Sequence, residues 1–219
     1  MASTRERIIS EALRLFGDQG FVRTSVAQIE AAAGLSRGSG ALYRHFASKD
    51  ELLVEAVRSR LVDRGEWQHF LAPDFSIAQF LRAVAPNATT ADRLWMLCRI
   101  GLMRLEHDRD VTRILLRDNS IAPEVLEVFR REEFTVVTSV VARGLAELAG
   151  PAHTDADWDA TAAVIVGAIA HYWLMCDIFG GEHPSGMDSE RYLRATAELM
   201  AAQIDAAASF TPVEQEISR

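Results

Sequence analysis

Residues 24–49 read TSVAQIEAAAGLSRGSGALYRHFASK, and they carry the clearest helix and turn signals of the chain. The spacing Ser25-x-x-Gln28 predicts a capping box, so a helix begins after Thr24 or Ser25. Gly34 supplies the left-handed residue that ends this helix. The residues expected to face inward share apolar character and helical spacing, and they are Val26, Ile29 and Ala33.

A further helix is expected over residues 36–46, and another from Ser48, where Ser48-x-x-Glu51 repeats the capping pattern. Two short helices joined by a tight turn at a glycine form a helix-turn-helix pattern. The outer face of the second helix is small, polar and basic, and it consists of Ser36, Arg37, Gly38, Ser39, Gly40 and Arg44.

That outer face has the chemistry needed to read duplex DNA. Small residues let the backbone approach base edges, and an arginine offers the forked donor that matches guanine in the major groove. Thr24, Tyr43 and Lys49 can donate to phosphates, and helix N-termini add backbone donors. Phe46 is expected to be core, and packing is the alternative to a DNA contact for His45. The candidates for DNA contact are Thr24, Ser25, Ser36, Arg37, Gly38, Ser39, Ala41, Tyr43, Arg44, His45 and Lys49.

Residues 5–16 form a helix that supports this pair. Ser3-x-x-Glu6 is placed to cap it, and Gly17 or Gly20 ends it. Its apolar residues recur at intervals of three and four, and they are Ile8, Ile9, Ala12, Leu13 and Phe16.

Two stretches of the chain resemble the DNA-binding domain of the tetracycline-repressor (TetR) family. They are residues 16–36, FGDQGFVRTSVAQIEAAAGLS, and residues 42–52, LYRHFASKDEL, and the resemblance extends over roughly residues 5–57. It implies a homodimeric transcription regulator that is helical throughout. Such a regulator has an N-terminal three-helix DNA-binding domain and a C-terminal domain for effector binding and dimerisation.

The chain departs from the family pattern at one point. Gly34 and Tyr43 are nine positions apart, where about seven is usual, and Ser39-Gly40 look like the extra pair. We therefore expect a remodelled start of the recognition helix. Which of Arg37, Ser39 and Ala41 contacts a base stays open.

Helical periodicity continues through the rest of the chain without an alternating strand pattern. The helix from Ser48 runs through Leu61, and a continuation past Trp67 is open. Further helices are predicted over residues 76–85, 90–106, 110–117, 123–149, 155–179 and 189–208. The predicted fold is all-α, with a DNA-binding domain at residues 1–50 and an effector-binding and dimerisation domain at residues 51–219.

The last two helices are the expected dimer interface, because the resemblance implies a four-helix bundle formed with their mates. The helix over residues 155–179 is apolar almost all round and needs a partner to cover it. The alternative is that both helices fill the core of the monomer. The interface candidates are Ala163, Val166, Gly167, Ala170, Leu174, Ala195, Leu199 and Ala202.

An effector pocket is expected among the middle helices. The candidate lining is large and carries little charge, which suggests a mostly apolar or aromatic small molecule. Plain core packing is the alternative for each residue. The candidates are Trp95, Cys98, Leu102, Met103, Phe134, His171, Trp173 and Met175.

Composition and charge bound the class of protein. Hydrophobic residues make up 49%, charged residues 25%, and the net charge of −8 divides into +2 over residues 1–60 and −10 over residues 61–219. A basic patch on an acidic body suits a local contact with a polyanion. The apolar run between Asp159 and Asp177 lacks arginine or aromatic anchors, so we expect no membrane span. No apolar segment follows the charged start MASTRER, so we expect no signal peptide and a cytoplasmic protein.

Enzyme and metal chemistry are not expected. The chain has no HExxH, nucleophile-elbow, Walker or dinucleotide motif. Asp155 and Asp157 suit a helix start better than a metal site, and Cys98 and Cys176 lie far apart without a CxxC pattern. No cofactor or metal is therefore predicted. The partners predicted are double-stranded operator DNA, a small-molecule effector and a second copy of the chain, and the alternative is a ligand-binding helical adaptor without DNA binding.

Overall fold

The computed structural model describes residues 3–117, 121–151 and 156–208, and these residues form helices without a strand. The α-helices are α1 Thr4–Gln19, α2 Val26–Ala32, α3 Lys49–Val62, α4 Ile77–Val84, α5 Thr90–His107, α6 Arg109–Arg117, α7 Pro123–Phe129, α8 Thr135–Ala149, α9 Trp158–Ile178 and α10 Ser189–Ala208. Shorter turns are 3₁₀ at Ala41–Arg44 and Gly65–Gln68, and π at Arg130–Phe134. The all-α prediction is confirmed.

Packing divides the chain into two compact units. The first unit comprises Met1–Ala72 and Arg104–Val137, and the second comprises Pro73–Met103 and Thr138–Arg219. The two units are defined by contacts between residues, and they are not the two predicted functional domains. The functional boundary at residue 50 stays a prediction.

Helix α1 begins and ends where its sequence requires. The Ser3 hydroxyl accepts from the Glu6 amide at 3.2 Å, and the Glu6 carboxylate accepts from the Ser3 amide at 2.7 Å. Gly20, at φ 87°, ends the helix, and its N–H donates to the Phe16 carbonyl. Gly17 is instead a buried packing position, because a Cβ there would lie 2.9 Å from the Asp110 backbone.

The core of the first unit lies between α1, α2 and α3 and continues to α6 and α7. The core includes ten large apolar side chains that are at most 2% exposed, nine from these helices and Leu42 from the 3₁₀ turn. They are Ile8, Phe16, Ile29, Leu42, Leu52, Leu53, Leu61, Val111, Ile114 and Val125. Burial of such side chains contributes about 1.5–3 kcal/mol each to folding.

The structure fixes the end of one predicted helix that the sequence left open, and it interrupts a second predicted helix. The helix from Ser48 ends at Val62, and Trp67 lies in the separate 3₁₀ turn. The helix predicted over residues 123–149 is interrupted by the π turn. The start predicted at Asp155 lies outside the described residues, and α9 begins at Trp158 with the Asp157 carboxylate capping it.

The second unit contains the long apolar helix α9. Its inner face packs with α10 through Tyr172, whose ring centroid lies 4.7 Å from that of Tyr192. By length and composition α9 is one helix among the described residues that could cross a membrane, and 33% of its most apolar window is buried within the chain. Core helices of soluble proteins pass the same test, so this finding is weak evidence for a span.

Two helical glycines of the second unit give a matched stability prediction. A Cβ at Gly144 would overlap Ile77, whereas one at Gly167 would meet nothing within 4 Å. We expect Gly144→Ala to lower the free energy of unfolding by about 1–3 kcal/mol through overpacking. Gly167→Ala should raise it by up to about 1 kcal/mol through helix propensity. Urea denaturation checks both values, and equal effects of the two variants would contradict the packing of α4 on α8.

Candidate nucleic-acid interface

The turn after α2 is tight and is fixed by backbone hydrogen bonds. The Ala33 N–H donates to the Ile29 carbonyl at 2.9 Å, and the Leu35 N–H donates to the Glu30 carbonyl at 2.8 Å. Gly34 has φ 71°, which a glycine adopts without strain. The predicted stop at Gly34 therefore matches the structure within two residues.

The helix predicted over residues 36–46 is wrong. Only Ala41–Arg44 is helical, as one 3₁₀ turn, and the Ser39 N–H donates to the Ser36 carbonyl at 3.1 Å in a separate turn. Gly38 and Gly40 have φ of 71° and 70°, opposite in sign to the helical value. The two glycines therefore replace the first turns of the expected helix with a loop.

We call residues 36–45 the reading segment. It is held by Leu42, whose side chain is fully buried and whose N–H donates to the Glu30 carboxylate at 3.1 Å. Phe46 is 2% exposed, so the prediction that it is core agrees with the structure. The outward-facing members of the reading segment are Ser36, Arg37, Gly38, Ser39, Tyr43, Arg44 and His45, and Ala41 is half-buried.

Thr24 and Ser25 have different roles. Ser25 is the N-cap of α2, with its hydroxyl accepting from the Gln28 amide at 3.3 Å. Thr24 is 1% exposed, and its hydroxyl lies 2.8 Å from the Gly20 carbonyl and accepts from the Gln19 amide at 3.1 Å. The expectation that the Thr24 side chain donates to a phosphate is therefore not supported by its position, because the hydroxyl faces the protein interior.

Lys49 connects α3 to the chain between α1 and α2. Its ammonium donates to the carbonyls of Phe21 and Thr24 at 2.9 and 3.0 Å, and it lies 4.0 Å from the centroid of the Phe21 ring. Two of the three ammonium hydrogens are thus directed at the protein. Its predicted phosphate contact would use the third.

The surface of the reading segment is basic. Arg37 and Arg44 are exposed, while Glu30, the one acidic residue between Val22 and Lys49, is fully buried. An exposed arginine fork beside small residues suits contact with base edges or phosphates. The segment therefore brings most of the predicted DNA-contact residues together, in a different backbone conformation from the one expected.

A buried ion network, defined as Arg60, Arg104, Asp108 and Glu133, holds the far end of α3. Arg104 donates to both oxygens of Glu133 at 3.2 and 3.0 Å and lies 2.5 Å from Asp108. Arg60 on α3 approaches the other oxygen of Asp108 at 2.9 Å. Burial raises the pKa of the Glu133 carboxyl, and the Arg104 guanidinium partly offsets that rise. Sequence reasoning missed this network because Arg60 and Glu133 are far in the chain from the Arg104–Asp108 pair.

The effector candidates do not share one environment. The Trp95 ring is covered by the guanidiniums of Arg99 and Arg194, at 4.9 and 4.4 Å from its centroid, so stacking of a ligand on it is not favoured. Cys98 is 1% exposed, and burial raises the pKa of its thiol to about 12. Trp173 is buried. Leu102 and Met175 are half-buried, Met103 and His171 are exposed, and Phe134 is exposed in the first unit.

Two cavities of the first unit are described, with volumes of about 240 and 620 Å³. The smaller is lined around Phe16 and Arg113, and the larger around Arg58 and Val128. None of the effector candidates lines either cavity. The effector site therefore stays a prediction. Among the described residues, no group of three His, Cys, Asp or Glu could hold a metal ion.

The predicted dimer residues face outward from the monomer. Those exposed are Ala163, Gly167, Ala195, Leu199 and Ala202, and those half-buried are Val166, Ala170 and Leu174. Leu199 is 71% exposed and Val164 59% exposed. The monomer-core alternative is not favoured by this exposure.

The fold is helical, and the exposed, basic reading segment follows α2 at the place where a helix-turn-helix would have its second helix. Residues 8–56 match the family model described as bacterial regulatory proteins, tetR family. The HTH-type transcriptional repressor Rv1474c of Mycobacterium tuberculosis is 36% identical over 53% of this chain and 78% of its own length. The HTH-type transcriptional regulator AcrR of Shigella flexneri is 48% identical over 24% of this chain and 23% of its own length.

Solved structures share the fold over nearly the whole chain. A TetR-family transcriptional regulator from Mesorhizobium loti has a TM-score of 0.65 at 20% identity, covering 91% of this chain and 96% of that one. FadR of Bacillus subtilis, solved with stearoyl-CoA, has a TM-score of 0.58 at 14% identity, covering 90% and 97%.

The chain belongs to the tetR family of bacterial regulatory proteins. Members of this family are DNA-binding transcriptional regulators and not enzymes. The chain spans only about a fifth to a half of the length of several curated relatives that it matches, among them AcrR and the repressor KstR2 of Mycobacterium tuberculosis.

The buried ion network gives a second stability prediction. Asp108→Ala would leave Arg60 without its carboxylate partner and Arg104 with Glu133 alone, so we expect a loss of about 3–5 kcal/mol in the free energy of unfolding. Glu11→Ala is the control, because it breaks an exposed pair with Arg14 that is expected to contribute less than about 1 kcal/mol. Chemical denaturation measures both, and a loss at Asp108 as small as the control's would contradict the network.

Proposed function

We propose that this TetR-family chain is a homodimeric repressor that binds a palindromic operator and is released from it by a small, mostly apolar or aromatic effector. The observation that carries the proposal is the reading segment, which is anchored inside by Leu42 and presents Arg37, Tyr43 and Arg44 to solvent. A protein that acts on chromosomal DNA in a bacterium works in the cytoplasm, which is the location we propose.

The second copy of the chain is proposed to cover the outer faces of α9 and α10. Both helices carry small residues there, which allow two backbones to approach closely. A dimer of this kind places two reading segments on successive major grooves, about 34–36 Å apart. Half-sites with that spacing and with two-fold symmetry are the operator that we expect.

Release is proposed to work as a population shift. An effector changes the operator affinity only if it binds one arrangement of the dimer better than the other. Helix α5 carries the effector candidate Trp95 as well as Arg104, and the network joins Arg104 through Asp108 to Arg60 on α3. In this proposal a displacement of α5 is passed on to α3, whose Lys49 binds the carbonyls of Phe21 and Thr24.

The experiment that tests the proposal is a gel shift and footprint of the whole protein on DNA from upstream of its own gene. The proposal expects two protected half-sites about 10–10.5 base pairs apart between centres. Stearoyl-CoA, which the structural neighbour FadR holds, and a set of aromatic acids are the effector probes. The alternative hypothesis is a helical ligand-binding adaptor. It predicts that calorimetry detects probe binding and that no DNA is shifted in the gel at low salt.

Arg37 gives a prediction about base recognition. Because it is exposed at the tip of the reading segment, Arg37→Ala should weaken operator binding by about 1–3 kcal/mol and relax preference at one base pair per half-site. Arg131→Ala removes the same charge from an exposed position on the π turn and is the control. Equal weakening by Arg37→Ala of operator and random DNA would make Arg37 a phosphate contact instead.

Gly167 gives a prediction about the dimer. A side chain at Gly167 meets nothing within 4 Å in the monomer, so Gly167→Leu should leave the monomer folded but overpack the contact with a partner. We expect sedimentation to show monomer in place of dimer, with operator affinity lost. Gly167→Ala, a much smaller addition, serves as the control. A Gly167→Leu protein that stays dimeric with full operator affinity would place the interface elsewhere.

A further inference from the structure

We infer that Glu30 is the positioning residue of the reading segment: its carboxylate, buried behind the segment, sets the conformation from which bases are read. The inference rests on the proposed function, because it assumes that the segment reads DNA. Glu30 itself is fully buried and would touch no nucleic acid.

Glu30 holds the chain at both ends of the glycine-containing loop. Its main-chain carbonyl accepts from the Leu35 N–H at 2.8 Å, and its carboxylate accepts from the Leu42 N–H at 3.1 Å. The residues between these two bonds include Arg37 and the two left-handed glycines. One residue of α2 therefore brackets the most irregular part of the interface.

The Leu42 N–H needs an acceptor from outside its own turn. The first N–H groups of any helical turn have no partner within it. The N-cap of this 3₁₀ turn is Gly40, which has no side chain to accept them, and the Ala41 N–H is bound by the Ser39 hydroxyl at 3.3 Å. Glu30 supplies from another helix the cap that Gly40 cannot, and a carboxylate suits a helix N-terminus.

Burial of the Glu30 carboxylate opposes folding, which indicates a role for Glu30 other than stability. Burying a carboxylate is unfavourable unless its oxygens are bonded. The second oxygen of Glu30 has no hydrogen-bond partner among the described residues. An apolar residue of similar size would fill the space without burying a carboxylate, but it would leave the Leu42 N–H without this acceptor. A carboxylate at this position is explained if fixing the Leu42 backbone is needed for function, even though burying the carboxylate lowers stability.

The test compares two substitutions that both remove the charge. Glu30→Gln keeps an oxygen that can accept from Leu42, whereas Glu30→Met fills similar space without an acceptor. We expect Glu30→Met to stay folded, because removing the buried carboxylate stabilises it while leaving the Leu42 N–H without an acceptor destabilises it, and to lower the ratio of operator affinity to random-DNA affinity about tenfold. Glu30→Gln should keep this ratio within about threefold, and Ile29→Val is the control for a small core change.

The salt dependence of binding to random DNA should be unchanged in all three variants, because none of them alters a phosphate contact. A folded Glu30→Met dimer that discriminates operator as well as wild type would overturn the inference. So would a Glu30→Gln protein as poor as Glu30→Met, because the acceptor would then be irrelevant.

Hydrogen exchange of the Leu42 amide separates failure of this inference from failure of the proposed function. Exchange should be faster in Glu30→Met than in wild type, whether or not the protein binds DNA. Equal exchange in the two proteins would overturn the inference on its own. Wild-type protein that shows no affinity for any DNA would remove the proposed function and leave Glu30 as the cap of a turn with another role.

Discussion

The proposed DNA-binding surface of this protein depends on how Leu42 is held. Its side chain is fully buried in the core between α1, α2 and α3, and its N–H is bound by the Glu30 carboxylate. With that residue fixed, Tyr43, Arg44 and His45 must face solvent. The irregular loop before Leu42 keeps its conformation without forming a helix, because hydrogen bonds from Leu35 and Leu42 to Glu30 hold its two ends.

In the proposed release mechanism, helix α3 connects the reading segment's end of the first unit to the ion network. Lys49 ties its first turn to carbonyls next to α2, and Arg60 ties its last turn to the buried ion network. The proposed release by an effector would act through these two attachments of α3.

Local patterns predicted much of this structure. The capping residues Ser3 and Ser25 define helix starts as expected, since caps are set by neighbours three residues away. The helix over residues 36–46 failed because periodicity cannot reveal that Gly38 and Gly40 adopt left-handed angles. The burial of Glu30 depends on elements that pack around it, and the pairing of Arg104 with Glu133 joins residues far apart in the chain. No local sequence pattern predicts either feature. The sites for DNA, effector and dimer partner remain predictions, with the reading segment best supported by geometry.

We propose that operator DNA is read by residues 36–45 in the conformation described above. Hydrogen exchange of the whole protein, followed peptide by peptide with and without operator DNA, tests this proposal. Operator should slow exchange most strongly in residues 36–48, with a smaller effect near Ser25. Operator-bound protein in which these residues exchange as fast as in the free protein, with protection appearing elsewhere, would contradict it.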